Sequence, residues 1–126
     1  MRADMRSWSP AAPSDLEDPS IDLAVEVFSM LADATRVRIV LALQEGERSV
    51  SALAEAVGKA PAAVSQHLAK LRLARIVATR HEGTRVFYRL ANEHAQQLVA
   101  AALFQAEHAT EDQPRHHRHA PLRERG

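Results

Sequence analysis

From Ile21 onward, apolar residues recur at the spacing of helices. Ile21, Val25, Phe28 and Leu31 fall on one stripe, which predicts an amphipathic first helix. In "LADATRVRIVLALQEG", Asp33 or Thr35 can cap a second helix that turns Val37, Val40, Leu41 and Leu43 inward and stops near Gly46. "SVSALAEAVG" predicts a third, with Ser51 as its cap, Leu53, Ala54 and Val57 as its buried face, and Gly58 in the left-handed position beyond its end. Pro61 then sits where a first helical turn accepts proline, and "PAAVSQHLAKLRLARI" buries Val64, Leu68 and Leu71. Here the period switches. "IVATRHEGTRVFYRL" holds two β-rich runs about "HEGT", a hairpin with Gly83 in its turn. "ANEHAQQLVAAALFQAEHA" returns to helical spacing through Leu98, Ala101, Ala102 and Phe104 before "TEDQP" ends it. The fold class expected is mainly α with a small β-hairpin wing.

The flanks lack such a pattern. Residues 1–20 carry Pro10, Pro13 and Pro19 with no apolar periodicity and are expected to form a disordered N-terminal arm. Residues 21–112 make the one domain that 126 residues allow. Residues 113–126 are expected to be a flexible, histidine-rich C-terminal tail. No apolar run approaches the length of about 18 residues needed to span a bilayer, and no apolar stretch follows Arg2 and Arg6, so neither membrane nor signal peptide is expected. Cysteine is absent, which excludes disulfides and thiolate chemistry and makes a cytoplasmic setting the simplest.

Net charge is zero, yet unevenly spread. Residues 1–35 hold seven acids and two bases, whereas residues 36–89 hold ten bases and four acids. A basic middle attracts phosphate locally despite the balance of the whole.

Two helices joined by a very short turn and followed by a basic hairpin make a winged helix-turn-helix, whose second helix enters the major groove of double-stranded DNA. With Val64, Leu68 and Leu71 inward, Ala62, Ser65, Gln66 and Ala69 face solvent. Ser65 and Gln66 suit base edges, the amide of glutamine pairing with adenine. Lys70, Arg72 and Arg75, with Arg80 and Arg85 on the hairpin, are candidate phosphate contacts. The plainer alternative is a helical bundle with ordinary surface cations, which leaves the exposed "AAVSQ" surface without a role. His67 suits packing or hydrogen bonding better than metal ligation, and His81 belongs to solvent.

"LADATRVRIVLAL", "SVSALAEAVGKAPAAVSQHLAKLRLARIV" and "RHEGTRVFYRL" resemble, in order, the ArsR/SmtB family of winged-helix repressors, over about residues 21–112. The resemblance implies a homodimer joined through its first and last helices, bound to operator DNA and released by a metal or other inducer. Ala60 departs from the family, standing where many members carry a serine cap, with Pro61 next to it.

Four of the seven histidines lie in the last nineteen positions. His94 and His108 are fourteen residues apart on the last helix, which is about 21 Å and nearly four whole turns. One helix cannot bring both to one ion, but two antiparallel copies crossing at Ala101 place His94 of one beside His108 of the other. Zinc-sensing members of the family carry Asp, His, His and His where this chain has Asn92, His94, Gln105 and His108, which disfavours a tetrahedral zinc site. "NEHAQQLV", "FQAEHA" and "PRHH" resemble instead the KmtR-type nickel/cobalt sensors of the family. That resemblance carries ligand roles onto His94, Glu107, His108, His116 and His117, with Ni(II) or Co(II) as inducer and zinc the lesser candidate. Imidazoles and a carboxylate without thiolate suit those ions. Two alternatives stay open: a winged-helix regulator answering to pH or a small molecule, and a metalloenzyme, for which no nucleophile–base pair is evident.

Overall fold

The computed structural model describes residues 13–111. A 3-10 helix, Pro13–Glu17, precedes α1 (Ser20–Leu31). The turn between them is held by Asp18, whose carboxylate accepts the Ser20 N–H at 2.9 Å and whose carbonyl accepts that of Ile21. α2 spans Ala34–Leu43. Asp33 is its cap, extended in backbone and accepting the Arg36 N–H at 3.1 Å, while Thr35, the other candidate, is buried.

Strand β1 is only Arg48–Ser49. α3 (Val50–Val57) starts directly from it, because Ser49 leaves the strand in an extended conformation and its hydroxyl accepts the Ala52 N–H at 3.2 Å. The cap is therefore Ser49 rather than the expected Ser51. Gly58, with φ 70°, closes α3 in the left-handed region. α4 (Pro61–Leu73) begins without a side-chain cap, Pro61 occupying its first turn. Proline fixes φ near the helical value and removes one of the unpaired N–H groups.

At its far end α4 closes with two reverse bonds, Arg75 N–H to the Arg72 carbonyl and Ile76 N–H to the Leu71 carbonyl, both at 2.9 Å. That closure needs a left-handed residue, and here it is Arg75, with φ 62°.

β2 (Val77–Glu82) and β3 (Arg85–Leu90) form the hairpin, paired Val77↔Leu90 through Glu82↔Arg85. β1 adds to the free side of β3, giving an antiparallel sheet ordered β1-β3-β2. α5 (His94–Glu111) begins where the Asn92 side chain accepts the His94 N–H at 2.9 Å.

One core joins these elements. Ile39 and Val40 of α2, Leu53 of α3, and Val64, Leu68 and Leu71 of α4 are completely buried, each contributing about 1.5–3 kcal/mol of apolar burial. Ile76 and Val77 seal the base of the sheet, and Ala95 and Val99 dock α5. The apolar stripe of α1 joins this core only through Leu31. Of its four members only Leu31 is buried, and Val25 and Phe28 are each 56% exposed. On α5, Leu98, Leu103 and Phe104 are likewise uncovered.

Candidate nucleic-acid interface and metal ligands

The three buried residues of α4 turn its opposite side outward. Ala62, Ser65, Gln66 and Ala69 are all exposed, as are Lys70 and Arg72 toward its end. This is the surface expected to meet DNA, carried on a helix fixed by its core residues and by one polar contact. Nδ1 of His67, on the flank of α4, lies 4.0 Å from Oδ1 of Asp33. The Arg36 N–H, then the charges of His67 and Arg36, hold the Asp33 carboxyl below the usual carboxylate range against some desolvation. His67 is thus a packing and polar-contact residue at the α2–α4 junction.

In the sheet, Val77, Tyr88 and Leu90 belong to the core, so alternation turns Arg80, Glu82, Arg85, Phe87 and Arg89 outward. Arg80 does not stand alone there. Its Nε donates to both carboxylate oxygens of Glu47, at 3.0 and 3.3 Å, Nη2 donates to one of them, and Nη1 lies 3.5 Å from Glu82. The hydrogen bond from Arg80 lowers the Glu47 carboxyl, and the same bond raises the guanidinium. The Phe87 ring lies 4.8 Å from the Arg80 guanidinium and 5.0 Å from that of Arg85. Among the described residues Arg85 has no carboxylate within salt-bridge distance. Nothing local in the sequence signals the Glu47–Arg80 pair, which spans 33 positions.

Of the expected metal ligands, His94, Glu107 and His108 are exposed on α5. His94 opens the helix. His108 lies in its last turns, with its ring edge-on to Phe104 at 4.3 Å. Glu107 is turned about 100° away from its neighbour His108 around the axis. His116 and His117 lie outside the described residues. Within one chain, no three His, Asp or Glu side chains among the described residues come together to hold an ion. Asn92 spends its oxygen on the start of α5.

A short-turned helix pair with an exposed, polar second helix and an arginine-bearing hairpin defines a winged helix-turn-helix DNA-binding domain. Residues 33–79 match the family described as bacterial regulatory protein, arsR family. The chain is 57% identical over 113 residues to the HTH-type transcriptional regulator KmtR of Mycobacterium tuberculosis, covering 90% of this chain and 87% of that one. It is 36% identical over 110 residues to the HTH-type transcriptional repressor SmtB of the same species, covering 87% and 79%. Among solved structures, a homodimeric winged helix-turn-helix DNA-binding domain from Mycobacterium bovis superposes with TM-score 0.64 at 34% identity, over 71% of this chain and 86% of that one. NolR from Sinorhizobium fredii does so with TM-score 0.63 at 30% identity, over 75% and 93%. The chain belongs to the arsR family of bacterial regulatory proteins, and it is a transcriptional regulator rather than an enzyme. No helix among the described residues is long and apolar enough to cross a membrane.

Proposed function

We propose that the protein is a cytoplasmic, homodimeric repressor that holds operator DNA in its metal-free form and leaves it on binding Ni(II) or Co(II). The observation that carries this reading is the outer side of α5. It presents two exposed imidazoles, His94 and His108, about 21 Å apart on nearly one face, with Leu98, Ala101 and Phe104 uncovered between or beside them. An apolar strip with a ligand toward each end suits an antiparallel second copy, which would cover the strip and bring His94 of one chain to His108 of the other. The similarity to KmtR and to the SmtB repressor supports the same arrangement.

Ser65 and Gln66 read base edges in this proposal, and Lys70, Arg72 and Arg85 hold phosphates. His94, Glu107, His108, His116 and His117 would hold the ion. Nickel or cobalt would supply more coordination positions than tetrahedral zinc, matching a set of five nitrogen and oxygen donors. The engaged Asn92 oxygen argues against a four-ligand zinc set that includes that position. Metal and DNA oppose each other reciprocally, each lowering affinity for the other by the same factor.

The test is to titrate the metal-free protein on labelled operator DNA with Ni(II), Co(II) and Zn(II), alongside a chain lacking residues 113–126 and the His94→Ala variant. Release by nickel or cobalt at the lowest concentration, blunted by the truncation and more so by His94→Ala, is expected. DNA affinity indifferent to all three ions would refute the metal-responsive reading.

A further inference from the structure

We infer that Glu47 is a built-in competitor for the DNA backbone at Arg80, so that the wing meets DNA with Arg80 neutralised and Arg85 available. The inference rests on the DNA-binding reading above and assigns a role to a residue outside the helix-turn-helix.

The geometry is that of substitution. A phosphate takes an arginine by two parallel N–H bonds, and Glu47 takes that fork, both its oxygens lying on Nε and one also on Nη2. The remaining edge of the guanidinium faces Glu82 at 3.5 Å, and the Phe87 ring lies 4.8 Å from it. One cation between two carboxylates has its own charge answered and its fork occupied, although Arg89 also acts on Glu47. Arg85 lies 5.0 Å from the same ring without a carboxylate partner among the described residues. The pair is also exposed, at 45% of the Arg80 side chain and 32% of that of Glu47. Solvent and salt therefore weaken it, which suits a carboxylate that sets affinity better than one that holds the sheet together.

Each phosphate neutralised adds about 0.9 to the slope of log affinity against log salt. The experiment measures that slope by fluorescence anisotropy on one duplex for the full chain and four variants: Arg85→Ala, Arg80→Ala, Glu47→Gln and the double Glu47→Gln/Arg80→Ala. Arg85→Ala should be shallower by about one unit and Arg80→Ala close to unchanged. Glu47→Gln should be steeper by about one unit and about threefold tighter at low salt, and the double variant should return to the parental slope. Arg80→Ala flattening the slope as Arg85→Ala does would overturn the inference, since Arg80 would already hold a phosphate. So would weaker binding by Glu47→Gln at unchanged slope, the mark of a structural brace. An Arg85→Ala slope equal to that of the parent would show instead that the wing does not touch DNA, and the broader reading of the hairpin falls with the inference. Arg80→Ala tests the idea independently should Glu47→Gln fold poorly.

Discussion

Arg75 holds a backbone conformation, φ 62°, that costs an L-residue about 1–2 kcal/mol. It is held there by the two 2.9 Å reverse bonds that end α4 and by Ile76, which is buried in the core immediately after it. Arg75→Gly removes the steric cost but gives the unfolded chain extra freedom, worth about 0.5–1 kcal/mol against folding. The balance predicts a gain of about 0.5–1 kcal/mol, or about 3–6 °C in Tm for a domain of this size. Arg75→Val, branched at Cβ, should lose about 1 kcal/mol or more, since its side chain collides in the left-handed region. Urea unfolding followed by helical circular dichroism measures both, at one fixed protein concentration because association stabilises the folded form. A glycine variant less stable than the parent would refute the reasoning. It would show that the arginine side chain, which lines a surface pocket with Leu23, Met30 and Leu73, contributes more than the backbone loses by strain.

Asp33→Ala should cost about 1 kcal/mol by uncapping α2. The cap carboxyl titrates below its usual value, so its stabilisation is present above the unfolded pKa of about 3.9 and lost as pH falls through the lower folded value. Unfolding midpoints should therefore differ at pH 7 and draw together as pH falls below the unfolded value, and a difference independent of pH would contradict the assignment. Gln66→Ala should cost about 1–3 kcal/mol on the preferred operator and little on a duplex altered at one base pair, which competition binding reads; uniform weakening would make Gln66 a backbone contact. Ala101→Phe should disrupt the proposed dimer by overpacking its crossing point, and sedimentation showing an intact dimer would place the crossing elsewhere.

The interior of the reading domain was legible because its signals are local. Val64, Leu68 and Leu71 repeat at helical spacing, Gly58 and Gly83 take left-handed turns, and Pro61 starts α4. What escaped depends on distant partners. A two-residue strand has no period to read, and β1 exists because Arg48 and Ser49 pair with Tyr88 and Phe87, which also moves the α3 cap to Ser49. Arg75 carries no glycine signal, yet the two reverse bonds place it in the left-handed region. The Glu47 partner of Arg80 gives no local signal because it lies 33 positions earlier. The stripe Ile21, Val25 and Phe28 is apolar as expected, but the described residues leave it largely uncovered.

That last mismatch bears on how an effector at α5 could reach the DNA. Ala95 and Val99 of α5 share one buried core with Ile39 and Val40 of α2 and with Val64 and Leu68 of α4, and packed cores of this kind shift as units rather than deform. The reading helix is tied to α2 once more through His67 and Asp33. In the proposed dimer, an ion shared by two α5 helices would therefore act on the angle between protomers and leave the outer surface of each α4 unchanged. Two α4 helices fit adjacent major grooves only when about 34 Å apart, one turn of the duplex. A small rotation at α5 is magnified over the distance to α4, and both half-sites are lost together. Loss of this kind raises the cost of binding two half-sites and spares one, so a single half-site duplex should bind the metal-loaded and metal-free protein alike.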